Sequence, residues 1–128
     1  MEELMQALSI NREGKALVLS LHGEVDFLNA ASVTEAIAAA LAQARPARVR
    51  VDLSEVTFLD SSGIGVLVSA MRAATDASAS FQVERPDAAI LDQLNGVGLT
   101  EAFGLAGAQV STPVEEPVDR APAVGEDR

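Results

Sequence analysis

Hydrophobic and polar positions alternate along this chain with two different periods, and each change of period marks an element. Leu17, Leu19 and Leu21 occupy alternate positions, which gives a strand over residues 16–22 one buried face. A strand-like run over residues 4–11 precedes it across Arg12-Glu13-Gly14-Lys15. A short glycine-bearing break between two such runs predicts an antiparallel hairpin. Gly23-Glu24-Val25-Asp26 then leaves the strand. Asn29 or Ser32 can cap a helix, Ser32 with Glu35 three residues on as a capping box. Val33, Ile37, Leu41 and Ala44 follow at helical spacing, until Pro46 removes the amide hydrogen needed to continue.

Alternation returns over residues 48–53, where Val49, Val51 and Leu53 share one face, so this is a central strand running toward Asp60. A helix over residues 64–74 carries Ile64, Leu67, Val68 and Met71 as its apolar stripe. Residues 80–84 form a short strand. Pro86 opens a third helix at its first position, where a missing amide hydrogen does no harm, and Ile90, Leu91 and Leu94 point inward. Gly96 and Gly98 end that helix, Leu99 and Phe103 fold back onto the core, and residues 108–110 form a last short strand. The order β-β-α-β-α-β-α, closed by that final strand, repeats a strand–helix–strand unit whose right-handed crossovers pair strands in parallel. The expected fold is a small single-domain α/β structure, with an N-terminal hairpin, a mixed but mostly parallel sheet and about three main helices.

Composition assigns residues 1–111 to that domain. Residues 112–128 hold three prolines, no periodicity and five acids against two arginines, the signature of a disordered acidic tail. The domain keeps 14 acids and seven bases, so it is acidic in its own right within a chain of net charge −10. Such a surface repels phosphate backbones and anionic lipid, so neither nucleic acid nor a membrane is expected as a partner. It suits solubility or a basic protein partner, and the chain is expected to be a monomer or weak dimer. There is no cysteine and one histidine, which excludes disulfides and thiolate or histidine-rich metal centres. No metal and no cofactor are expected. No apolar run reaches the roughly 18 residues of a membrane span, and the acidic MEELMQ lacks the basic start of a secretory signal, which points to the cytoplasm.

The stretch FLDSSGIGVLV, residues 58–68, places an acid, two serines and two glycines where a strand hands over to a helix. A nucleophile elbow needs Gly-x-Ser-x-Gly, and neither Ser61 nor Ser62 has glycine two residues before it. The only histidine, His22, stands at the end of another strand, so no catalytic residue is assigned. Gly63-Ile64-Gly65 lacks the third glycine of a dinucleotide fingerprint and the lysine of a phosphate loop. Glu24, Asp26 and Asp60 lie at strand ends, where they cap turns and stay solvated or converge on a weak cation or acid/base site. Asp60, Ser61 or Ser62 can cap the coming helix, which contributes about 1 kcal/mol but accounts for only one of the three. The remaining reading uses them all. A serine at a helix N-terminus can accept a phosphate without melting the helix, with Asp60 holding its hydroxyl, so the modification would act on a partner's surface.

With these elements in place the chain resembles the STAS domain family, and specifically the bacterial anti-sigma factor antagonists. LHGEVD (residues 21–26) resembles the family's acidic turn after the second strand. VDLSEVTFLDSSGIGVLV (51–68) resembles its strand, connecting loop and Asp-Ser-Ser-Gly turn into a helix. PDAAILDQLNGVGLTEAF (86–103) resembles its third helix and Gly-Leu…Phe ending. The resemblance spans nearly all of residues 5–111 and implies Ser61 as phosphoacceptor, with Glu24, Asp26, Asp60, Ser62 and Gly63 forming the partner-binding turn. It implies that the unphosphorylated protein binds an anti-sigma factor that is itself a serine kinase, freeing a sigma factor. Phosphorylation then breaks the partnership, and a serine phosphatase restores it. The alternative implied by the same family is a scaffold or transporter-associated subunit that is not phosphorylated. Arg85 stands where many members have asparagine, the helix after the turn is alanine-rich, and the acidic tail lies outside the family pattern.

Overall fold

The computed structural model describes residues 7–105. Two strands, β1 (Leu8–Glu13) and β2 (Ala16–Val25), pair antiparallel from Glu13↔Ala16 to Leu8↔Leu21. Their loop is only two residues, with Gly14 at φ +62°, the first loop position where a type II′ turn requires a positive φ. Helix α1 (Ala30–Ala44) leads into β3 (Arg48–Leu59), and helix α2 (Ser61–Asp76) into β4 (Ser80–Glu84). Helix α3 (Ala88–Gly96) follows. The sheet order is β1-β2-β3-β4, with β2, β3 and β4 parallel, so the expected mixed sheet with an N-terminal hairpin is observed. The expected strand at 108–110, the tail at 112–128 and the first residues of the run at 4–11 lie outside the described residues.

One face of the sheet carries the core. Leu17, Leu19, Leu21, Val49, Val51, Leu53 and Val83 are buried there beneath Val33, Ile37 and Leu41 of α1, Val66, Leu67, Ala70 and Ala74 of α2, and Ile90 and Leu94 of α3. Phe103 is fully buried, edge-on to Phe81 at 5.8 Å between ring centres, so the segment after α3 does fold back. The opposite face is polar. Arg50 bridges Glu13 and Glu84 at 3.0 and 2.9 Å, and both partners, Glu84 first, hold its guanidinium more firmly protonated. Asp52, the one polar side chain buried among the described residues, meets Arg85.

Several boundaries differ from the sequence expectations, and each difference has a local cause. Strand β2 continues through Gly23 and Glu24, because Gly23 adopts φ +70° at an irregularity in the β2–β3 ladder rather than ending it. Strand β3 runs to Leu59, not Leu53, with no loop before the turn. Two register shifts insert an extra β3 residue each, so burial steps from Leu53 to Val56 to Leu59 and strict alternation is lost. Ser32 and Glu35 lie inside α1 and form no capping box. Asn29 occupies the cap position without a side-chain cap bond. Helix α2 starts at Ser61 and presents Gly63, Val66, Leu67, Ala70 and Ala74 to the core, while Ile64, Val68 and Met71 are only half-buried. The helix is thus rotated toward its small residues, which lets its axis approach the sheet. Pro86 precedes the cap of α3 and is not its first residue; Asp87 caps the helix by accepting from the Ile90 amide at 2.9 Å.

Candidate functional site

At the carboxyl ends of β2 and β3 the two turns that follow these strands are tied together by one side chain. Asp60 takes an extended backbone before α2, and its Oδ1 accepts from the Gly63 amide at 2.9 Å. Its Oδ2 accepts from the Phe27 amide at 3.1 Å, across 33 residues of chain. Both oxygens therefore hold backbone, and Asp60 does not hold the serine hydroxyl as the sequence suggested. Ser61 is exposed at the first position of α2, and none of the described hydrogen bonds uses its hydroxyl. Ser62 is half-buried one position on.

The neighbouring turn is built on the same economy. Asp26 Oδ1 accepts from the Leu28 amide at 3.0 Å, and Asn29 Oδ1 accepts from the Asp26 amide at 3.0 Å. Asn29 Nδ2 donates to the Glu24 carbonyl at 2.8 Å, so the side chain that does not cap α1 instead knits the turn that precedes it. Glu24 itself is exposed. Gly63 locks the two turns face to face. A Cβ placed on it would overlap the carbonyl oxygen of Val25 and the side chain of Leu59, so only glycine fits between α2 and β2. From the other side, Gln93 of α3 donates through Nε2 to the Leu59 carbonyl at 2.6 Å, next to Asp60.

The expected partner-binding residues Glu24, Asp26, Asp60, Ser62 and Gly63 thus gather with Ser61 in one pair of adjoining turns. Sequence reasoning missed three apolar residues that border them. Phe27 and Leu28 are 76% and 85% exposed, and Phe58, paired with Glu24 across the sheet, is 49% exposed. Two consecutive large apolar residues outside any periodic run were the available signal for Phe27 and Leu28. Gln93 and Asn29 gave none, since amides on helix surfaces and in turns are commonplace.

The chemistry open to the site is limited by what surrounds it. His22 Nε2 is hydrogen-bonded to Ser9 Oγ of β1 at 2.9 Å, so the ring is engaged away from both serines. Among the described residues no group of three or more His, Asp or Glu is placed to hold a metal ion. The remaining assets are an exposed hydroxyl, a helix N-terminus whose early amides point outward, and a rim of carboxylates and exposed apolar side chains.

The profile of the family described as "Mlab, STAS domain" matches residues 8–107. A search of curated proteins gave no match. Among solved structures, an anti-sigma factor antagonist from Mycobacterium paratuberculosis superposes with TM-score 0.67 at 27% identity, over 75% of this chain and 80% of that one. The phosphorylated form of the Bacillus cell fate determinant SpoIIAA superposes with TM-score 0.61 at 21% identity, over 74% and 86% of the two chains. Its unphosphorylated form, an anti-sigma factor antagonist, gives 0.58 at 20%, over 70% and 82%. A hairpin leading into a parallel sheet, a helix started at an Asp-Ser-Ser-Gly turn, and a profile matched over most of the chain agree: this chain belongs to the STAS domain family.

Proposed function

We propose that the protein is an anti-sigma factor antagonist that works as a phosphorylation-controlled binding module in the cytoplasm, not as an enzyme. Unphosphorylated, it binds an anti-sigma factor that is a serine kinase, and so releases a sigma factor. The kinase transfers the γ-phosphoryl group of ATP to Ser61 Oγ. The new O–P bond replaces the bond to ADP, and the hydroxyl proton leaves to a base on the kinase. A serine phosphatase hydrolyses the ester and restores the binding form. It needs no cofactor and no direct contact with nucleic acid.

The observation that carries this reading is that Asp60 orders the turn entirely through backbone amides, leaving the adjacent Ser61 exposed and its hydroxyl unused. A phosphate there adds about −1.5 to −2 charges beside outward-facing amides, which favour it, so the fold tolerates it. The partner meets something different. The rim of Phe27, Leu28 and Phe58 beside the carboxylates of Glu24, Asp26 and Asp60 acquires a strongly hydrated dianion, which a docked surface shaped for the bare hydroxyl would have to desolvate. The resemblance to antagonists solved in phosphorylated and unphosphorylated forms supports the same reading.

The test is incubation with the cognate anti-sigma kinase and ATP, followed by peptide mass analysis. One phosphate is expected on Ser61 and none on the Ser61→Ala protein; equal labelling of the variant would defeat the assignment. A second reading within the same family is a transporter-associated scaffold that is never phosphorylated. It predicts partner binding that Ser61→Asp leaves intact.

A further inference from the structure

Although the chain is acidic, its cations are not scattered. Arg12 near the end of β1, Lys15 in the hairpin loop, Arg45 after α1 and Arg48 at the start of β3 share one end of the domain. Backbone contacts draw them together. The Arg12 guanidinium donates to the Ala44 carbonyl at 2.9 Å and to the Gly14 carbonyl at 3.1 Å. The Lys15 carbonyl accepts from the amides of Ala47 and Arg48 at 2.9 and 3.2 Å. The C-terminus of α1 points at the same place and favours positive charge there. Among the described residues, none of these four side chains makes an ion pair; the pairs involve Arg50 and Arg85 instead. Among the described residues, the acids at this end are Glu13, which Arg50 holds, and Asp76 at the end of α2. The whole length of β3 separates the basic end from Asp60 and Ser61, roughly 35 Å at strand rise.

The last described residues lie beside β4. The Phe103 carbonyl accepts from the Val83 amide at 2.9 Å, and Gly104 lies against the Gln82 side chain. The step from 103 to 104 therefore descends β4 from Val83 toward Ser80. Ser80 pairs with Arg48, and its amide donates to the Ala47 carbonyl at 3.0 Å. Glu115, Glu116 and Asp119 come ten to fourteen residues after Leu105. Fewer than half of those residues would cover the remaining roughly 10 Å along the strand.

We propose that the acidic segment 112–128 is the ligand of this basic end, held in cis by Arg12, Lys15, Arg45 and Arg48. Covalent connection over so short a spacer gives it an effective concentration on the order of millimolar, ahead of any free acidic protein. Its effect is to neutralise a surface that would otherwise match the acidic turn of Glu24, Asp26 and Asp60 on a second copy. That contact joins unlike ends, does not close on itself and leads to open chains of molecules. Occupation in cis leaves the acidic turn as the charged face that partners meet. The proposal is independent of phosphorylation at Ser61.

The test uses amide spectra of the full chain beside its E115Q/E116Q/D119N variant at low salt. Neutralisation is expected to shift the amides of Lys15, Arg45 and Arg48 while leaving those of Ser61 and Gly63 in place. High salt should produce the same shifts in the parent protein and much smaller ones in the variant. A synthetic 112–128 peptide added to the variant should reverse them. Unmoved amides at Lys15, Arg45 and Arg48 would overturn the proposal. So would shifts that grow with protein concentration in the parent, because the occupant would then be a second copy.

Discussion

Asp60 and Phe27 are joined by a hydrogen bond from the Phe27 amide to Asp60 Oδ2, at 3.1 Å and 33 residues apart in the chain. Through it the turn that starts α2 and the turn that ends β2 become one rigid surface, since the other carboxylate oxygen caps Gly63. Asp60→Ala removes both bonds and leaves two amides to find water. A loss of about 1–2 kcal/mol is expected in denaturant unfolding. Asp60→Asn keeps one oxygen and should recover part of it. Equal stability of Asp60→Ala and the parent protein would show that the two turns are held by other means.

Gly63 is the position where a single methyl group does most damage. Its missing Cβ is the space into which the Val25 carbonyl projects, and that oxygen belongs to strand backbone that cannot move aside. Gly63→Ala is expected to destabilise by about 3 kcal/mol or to prevent folding. Gly65→Ala, two residues along the same helix but with open space where its Cβ would stand, should be neutral or slightly stabilising because alanine favours helix. Paired thermal unfolding of the two variants checks this, and a mild effect at Gly63 would contradict the close approach.

Ser61→Asp places a permanent negative charge at the first position of α2. The helix N-terminus favours it by about 0.3–1 kcal/mol, so Tm is expected to stay level or rise by a few degrees. Under the proposed function, binding to an anti-sigma kinase should fall at least tenfold in calorimetric titration. A large drop in Tm would mean that the charge acts by disrupting the domain rather than its partner surface.

How much of this was legible in the sequence depends on how local the cause is. The leucines of β2 and the valines at the start of β3 face one way because alternation is a property of the strand itself, so the sheet and its parallel order could be read directly. The carboxyl half of β3 could not. Its two inserted residues are bulges defined against β2, and they move Phe58 outward and Leu59 inward in a way no single-strand pattern encodes. The rotation of α2 was hidden for a related reason. Ile64, Val68 and Met71 are the larger apolar residues, yet the close approach at Gly63 selects the face bearing Ala70 and Ala74. In the site, the residue types at 60–63 were visible, but the partner of Asp60 was not, because the Phe27 amide has no side-chain signature.

Phe27 and Leu28 are held out by the same hydrogen bonds that order their turn, and neither contributes to the core. Phe27→Ala and Leu28→Ala should therefore leave the unfolding midpoint within about 0.5 kcal/mol of the parent. If this rim is where the anti-sigma kinase docks, at least one of the two should cost more than about 1 kcal/mol of binding, as buried aromatic anchors do. Binding unchanged by both substitutions would remove the rim from the partner surface.

Asp52 links stability to acidity. Burial pushes its carboxyl up, but the hydrogen bond from Arg85 and the bonds from Ser54 together outweigh that and hold it below the usual carboxylate range. The charged form is thus favoured more in the folded chain than in the unfolded one, where an aspartate titrates near about 3.9. Its contribution is complete above that value and disappears as pH falls through the lower folded value. Arg85→Gln removes the main hydrogen-bonding influence that opposes burial, so the folded carboxyl is held less far below its unfolded value; stability at neutral pH should fall and the acid limb of the stability curve should become shallower. Asp52→Asn removes this proton from the linkage and should make the limb shallower. Unfolding midpoints measured from neutral pH into the acid range check both variants, and an acid limb that Arg85→Gln leaves unchanged would show that the exposed arginine does not govern Asp52.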